Sequence, residues 1–205
     1  MNITIRKATQ EDASFLAQMI LQSSRAGKKI GLFDLIFNNE NLIENLTKLC
    51  IAEKKSKYHV SNFLIAELDG EQVGSLCSFE PRISTQESFI NVLAEIGVEE
   101  EHIKEELEIF HSCDFTFNTR TLMFDCMEEK EGFIDVGVLK ALMQKSLLNA
   151  RLKGYRVAQT VVEIGALDMI LFYKKLGFKE VKEQECEAYR EKYGRSGLML
   201  LAIEF

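Results

Sequence analysis

Backbone N–H groups gathered at the start of a helix can hold an anion, and one helix in this chain begins in the right setting. It is read over about Val136–Lys153, where Val138, Leu139, Leu142, Met143, Leu147 and Leu148 recur at helical spacing. A strand-like run, Thr121–Met127 (TLMFDCM), and a turn containing Gly132 precede it. Gly154 stands one step past its end, where a left-handed capping residue is wanted. The β-branched run Tyr155–Glu163 (YRVAQTVVE) reads as the next strand, and Ala166–Leu176 as a second helix closed by Gly177 and Phe178. Strand, helix and strand in this order form a right-handed crossover. Such a unit aims the helix's first N–H groups, and the positive end of its dipole, at one spot suited to phosphate.

Other reactive residue types carry less. Cys126 is a thiol on a strand, with no histidine in a recognisable partner motif, and reads as a strand residue. His59, His102 and His111 have no metal-ligand spacing with one another or with a cysteine. No G-x-G-x-x-G follows any strand, which disfavours a Rossmann-type nucleotide binder.

The elements that position this unit can be read in order. Asn2–Lys7 alternates as a strand, and Thr9-Gln10-Glu11-Asp12 resembles a capping box before a helix to about Ser24. Phe15, Leu16, Met19 and Ile20 face inward on that helix. Gly31–Phe37 and Asn41–Lys54 read as further helices. Asn62–Leu68 and Gln72–Phe79 flank Asp69-Gly70, a strong hairpin signal. Two helices, Ser84–Ile96 and Glu99–His111, then form an insertion over about 80–119. That pair is open to three readings: a lid over the acceptor side, an oligomer contact such as a homodimer face, or a surface pair. Lys179–Glu187 and Ser196–Phe205 read as the last strands, joined by Ala188–Arg195, and the final strand is apolar on both faces.

Composition bounds the rest. With 205 residues, 46% of them hydrophobic and 28% charged, the expectation is one domain, 1–205, with a sizeable core. A net charge of −7 argues against nonspecific binding to nucleic acid or an anionic membrane, and is compatible with a cationic amine. Five scattered cysteines without a CxxC pair read as reduced thiols, with neither a disulfide frame nor a zinc site. No apolar run reaches transmembrane length and MNITIRKATQ lacks a signal-peptide apolar region, so the expected location is cytoplasmic.

The register Lys140-Ala141-Leu142-Met143 and the closing Phe172-Tyr173-Lys174-Lys175-Leu176-Gly177-Phe178 resemble the two best-known motifs of the GNAT superfamily of N-acetyltransferases. The opening strand, ending Arg-x-Ala-Thr before a capped helix, and the hairpin are similar to that family too. The resemblance implies an α/β (α+β) fold with a mixed, mostly antiparallel seven-stranded sheet flanked by helices. The helical pair is then an insertion between strands 3 and 4.

It also implies transfer of an acetyl group from acetyl-CoA, as cosubstrate, directly to a primary amine of a small molecule or peptide. Such a transfer needs the thioester held near a neutral amine, a proton for the leaving thiolate, and a donor for the carbonyl oxygen. By position in the family's motifs, Tyr173 is the general acid, and Asp125 and Glu128 are candidates for the general base. The implied cofactor contacts are Met127 and Glu129 on the fourth strand. They continue through Ile134, Asp135, Val136, Gly137, Val138, Leu139 and Lys140 at the helix start, and end with Ala166, Met169 and Phe172 on the later helix.

The sequence departs from the family in its pyrophosphate loop. Of the positions Ile134, Gly137 and Leu139 only the glycine is kept, and Asp135 replaces the usual glycine. A like-charge contact at about 5 Å and an effective dielectric of about 20 costs roughly 3 kcal/mol, about a hundredfold in affinity. Lys130 and Lys140 offset part of it. Ala166 and Met169 stand where the family often has asparagine and alanine. An alternative reading is therefore a catalytically inactive domain of the same fold, binding another ligand or partner in a modified cleft.

Overall fold

The computed structural model describes residues 2–117, 120–133 and 137–205. Three expected cofactor positions, Ile134, Asp135 and Val136, lie outside the described residues. Among the described residues, seven strands form one sheet: β1 Ile3–Lys7, β2 Phe63–Leu68, β3 Glu71–Phe79, β4 Leu122–Glu129, β5 Val157–Glu163, β6 Lys179–Glu185 and β7 Gly197–Glu204. Their order is β1-β2-β3-β4-β5-β7-β6. β4 pairs with β5 in parallel, and the other neighbours pair antiparallel. The helices are α1 Ala13–Arg25, α2 Leu32–Ile36, α3 Leu42–Ile51, α4 Gln86–Glu95, α5 Glu100–Phe110, α6 Val138–Leu152, α7 Leu167–Lys175 and α8 Glu187–Tyr193. This is the mixed, mostly antiparallel sheet expected from the sequence, with α4 and α5 inserted between β3 and β4.

Local chemistry accounts for the corners. The Thr9 N–H donates to Asp12 Oδ2 at 2.7 Å, closing the capping box ahead of α1. Asp69 and Gly70 both take positive φ (51° and 89°), as the tight turn between β2 and β3 requires. Strand residues then alternate between two cores. Phe63 and Ile65 of β2 join α1–α5 on one face, while Leu64 and Ala66 join α6 and α7 on the other. The insertion belongs to the first core through Phe89, Val92, Leu93, Ile103 and Leu107, so it is not a loosely attached surface pair.

Two expectations are corrected. The stretch Ala188–Arg195, read as a connection, is mostly the helix α8, which buries Tyr189 and Tyr193 one turn apart. The cysteines are not all reduced. Cys113 and Cys186, 73 positions apart in sequence, are brought to a Cα–Cα distance of 5.8 Å and form a disulfide, while Cys50, Cys77 and Cys126 are free and buried. The cysteine part of the argument for a cytoplasmic location falls with it. Leu148, part of the apolar repeat of α6, faces solvent.

Candidate active site

The site is created by a failure of pairing. β4 and β5 run side by side only where Leu122, Met123 and Phe124 meet Ala158, Gln159 and Thr160. Beyond that point β4 continues to Glu129 and β5 to Glu163 with no ladder between them. A second irregularity lies on β4 itself. Ser75 pairs with Glu128 and Cys77 with Asp125, so three steps of β4 oppose two of β3, and Cys126 takes a φ of 46°. Such a bulge re-aims the side chains around it.

A cavity of about 370 Å³ fills the gap. Asp125, Met127 and Glu128 of β4 line it, as do Thr160 and Glu163 of β5. From the α7 side come Ala166, Met169 and Tyr173, which share one helical face. The opposite wall comes from Ile20 and Ser23 of α1, Phe33 of α2 and the loop residues Lys57 and Tyr58. The insertion adds Phe89, Phe110 and the segment after it.

The two carboxylates on β4 sit in different environments. Asp125 Oδ2 receives Lys57 Nζ at 2.6 Å, and Asp125 Oδ1 receives the Cys126 N–H at 2.7 Å. Burial works to depress the Lys57 ammonium, but the adjacent Asp125 carboxylate outweighs it and holds the lysine well above its usual range. Asp125 is thus engaged as a counterion. It also occupies the Cys126 N–H, which is therefore not an open donor for a carbonyl oxygen. Glu128 receives Gln22 Nε2 at 2.7 Å. Burial pushes its carboxyl up to about 7, against the opposing hydrogen bonds from Gln22 and Ser23. A carboxyl at that value is half-ionised near neutrality and suited to accept a proton.

Tyr173 is buried at the base of the cavity, and burial holds its phenol proton far more tightly than in water. Thr160 Oγ1 donates to the Phe124 carbonyl at 3.0 Å and lies 3.4 Å from Tyr173 Oη. Burial, then Asp125, pushes the Cys126 thiol well above the usual range, so it stays protonated. This agrees with its reading as a strand residue.

The start of α6 lies beside this cavity rather than in its wall. Gly74 of β3 lets α6 close on the sheet: a Cβ there would sit 2.6 Å from Val138 Cγ1 and 2.9 Å from the Glu128 carbonyl oxygen. Gly137 is exposed with a φ of 89°, and nothing lies within 4 Å of where its Cβ would be. At the first turn of the helix Gly137 and Lys140 are exposed and Leu139 is half-buried, while Val138 is buried. Glu129 and Phe172 do not line the cavity. The Glu129 carbonyl accepts from Gln22 Nε2 at 3.1 Å, and Phe172 packs in the second core, edge-on to Tyr173.

Sequence reasoning missed Lys57, Gln22, Thr160 and Glu163. Each lies far in the chain from its partner in the site, and none sits in a motif. Glu163 gathers Lys28 Nζ at 2.5 Å, the Tyr189 hydroxyl at 2.9 Å and Arg195 Nε at 3.4 Å, which pins the end of β5 to α8 and to the loop after α1.

A seven-stranded sheet in this order, parted at its parallel pair, is the fold of the GNAT N-acetyltransferases. Solved structures of that fold cover the chain almost end to end. The N-acetyltransferase from Staphylococcus aureus Mu50 aligns over 98% of this chain and 100% of its own, with a TM-score of 0.72 at 14% identity. The ribosomal-protein-alanine N-acetyltransferase from Brucella melitensis aligns over 98% and 99%, with a TM-score of 0.59 at 15% identity. The protein yncA from Salmonella typhimurium, solved with its cofactor acetyl-CoA, aligns over 100% and 94%, with a TM-score of 0.55 at 13% identity. No family model and no curated protein matches the sequence.

Proposed function

We propose that the protein, as a single domain over residues 1–205, is an N-acetyltransferase that moves an acetyl group from acetyl-CoA directly to a primary amine. The observation that carries this reading is the cavity at the β4–β5 parting, which is lined by both a carboxyl near 7 (Glu128) and a buried phenol (Tyr173) and lies beside the start of α6. Structural neighbours that include acetyltransferases, one of them with acetyl-CoA, support the same chemistry.

Acetyl-CoA supplies the activated acetyl group. Glu128 takes one proton from the entering ammonium, and the neutral nitrogen then bonds to the carbonyl carbon. Tyr173 Oη gives a proton to the sulfur as the carbon–sulfur bond breaks and is reprotonated by the second proton that the new amide nitrogen loses, while Glu128 passes its proton to solvent. Asp125 and Lys57 fix the charge at the floor of the site without exchanging protons in the reaction. Gly137, Val138, Leu139 and Lys140 receive the diphosphate, and Ala166 and Met169 flank the arm that leads to the thioester. Calorimetric titration with acetyl-CoA tests the reading. Micromolar binding supports it, and no heat at millimolar ligand contradicts it and leaves a ligand-binding domain of the same fold.

A further inference from the structure

The cavity wall away from α7 is built of rings. Phe33, Tyr58 and Phe89 form a mutual cluster, with centroids 5.2 Å apart for Phe33 and Tyr58 and for Tyr58 and Phe89, and 6.2 Å for Phe33 and Phe89. Phe79 faces the same space, and Lys57 Nζ stands between it and Tyr58, 5.3 Å and 4.9 Å from the two ring centroids. Phe110 at the end of α5 continues the wall towards Tyr189 of α8, with centroids 6.4 Å apart. Phe89 and Phe110 come from the insertion, so this element closes the acceptor side with aromatic surface.

The charges facing the cavity are lopsided. Asp125, Glu128, Glu163 and Asp114 present carboxyl groups. Among the described lining residues, Lys57 is the one lysine or arginine, and Asp125 already holds it. Lys28 and Arg195, which neutralise Glu163, approach it from outside the lining. With Asp125, Glu163 and Asp114 already paired, Glu128 is the carboxyl left to meet an amine, whereas a carboxylate on the same molecule meets no uncommitted lysine or arginine. A long polar chain would leave its amide groups unpaired against rings, which is costly.

From this we infer that the acceptor is a compact primary amine carried on an aromatic group and lacking a carboxylate, rather than an amino acid, a polyamine or a protein N-terminus. The inference rests on the acetyl-transfer reading for its reaction, but it concerns only what the ring-lined cavity binds. Rings pack against rings in offset or edge-on geometry, a gain beyond the burial that an aliphatic amine of equal length also obtains.

The test compares 2-phenylethylamine with phenylalanine, spermidine and a short peptide with a free N-terminus, each with acetyl-CoA, and measures the melting temperature with each amine alone. The expected kcat/KM for 2-phenylethylamine exceeds the other three by about tenfold or more. In Phe110→Ala and in Phe89→Leu, the kcat/KM ratio of 2-phenylethylamine to ethylamine falls by about tenfold. That ratio does not depend on how much of a variant is folded. Acetylation of phenylalanine, spermidine or the peptide at an equal or greater rate overturns the inference. If no amine is acetylated but 2-phenylethylamine alone raises the melting temperature saturably, and the two variants abolish that rise, the ligand class stands and the acetyl-transfer reading fails. Absence of both turnover and a thermal shift with 2-phenylethylamine overturns the inference outright.

Discussion

Lys57 Nζ lies 2.6 Å from Asp125 Oδ2, a contact between a loop and β4 that spans 68 positions of sequence. It divides the labour between the two carboxylates on β4. Asp125 is spent as a counterion, and Glu128, held by the neutral amide of Gln22 and by Ser23, is left to titrate. Both members of the ion pair are partly exposed to the cavity, with 25% and 33% of their side-chain surfaces accessible. A double-mutant cycle of Lys57→Met and Asp125→Asn should therefore give a coupling of roughly 1–3 kcal/mol, between the exposed and buried limits for ion pairs. Additivity of the two singles in urea unfolding, to within about 0.5 kcal/mol, would contradict the pairing.

In the proposed reaction Glu128 sets the pH dependence. Its folded value is raised from the ordinary carboxylate range to about 7, so the base is protonated and idle in acid. The predicted kcat/KM rises with pH through an apparent value near 7 and levels off above it. Glu128→Gln should remove this limb and lower kcat by about 10²–10⁴-fold, while Asp125→Asn keeps it. The same shift has a stability consequence of opposite sense. The folded protein favours the protonated carboxyl, so stability is greatest below the unfolded carboxylate value and declines as pH rises through 7. An activity profile that is flat between pH 5 and 9 would remove Glu128 from the base role.

Arg25 and Asp34 hold the corner between α1 and α2, and with it the Phe33 face of the cavity. The guanidinium reaches Asp34 through two contacts of 2.6 and 3.0 Å, and the Gly31 N–H adds a third at 2.8 Å. Burial alone would lift the Asp34 carboxyl, but these partners outweigh it and hold it below the usual range. A depressed carboxylate stabilises the fold above its unfolded value and loses that contribution as pH falls through its folded one. Asp34→Asn should cost about 2–4 kcal/mol at pH 7, because it leaves Arg25 partly buried and unpaired. The difference from wild type should shrink in acid. An equal difference at pH 7 and pH 3, by thermal or urea unfolding, would count against the pair as its cause.

The Cys113–Cys186 bond ties the end of the insertion to the start of α8, and residues on both flanks line the cavity. Closing a loop of this size is worth about 4 kcal/mol in the chain-entropy account. Reduction, or the double change Cys113→Ser and Cys186→Ser, should lower the melting temperature measurably and raise KM for the amine more than for acetyl-CoA. Identical melting curves with and without reductant would show that the bond does not form in solution.

Much of the architecture could be read locally. Periodic apolar residues, the Thr9–Asp12 box, the Asp69-Gly70 turn and the run Phe172–Phe178 are short-range signals, and each produced its element. α8 was missed because it has seven residues, and its apolar pair Tyr189 and Tyr193 fills a single turn. Tyr173 and Glu128 were candidates by position alone; the parting of β4 from β5 and the bulge at Cys126 bring them to one cavity. Lys57, Gln22 and the Cys113–Cys186 bond were illegible for a different reason. Their partners are set by the tertiary path of the chain, and nothing in a residue's neighbours encodes a contact tens of positions away.

The most direct test of the central claim is release of free CoA thiol from acetyl-CoA in the presence of a primary amine, wild type against Glu128→Gln, at pH 8. Wild type is expected to release thiol only when the amine is present, with one acetylated amine formed per thiol, and Glu128→Gln to lose about 10²-fold or more. Release that is independent of the amine, or equal in the two proteins, would contradict it.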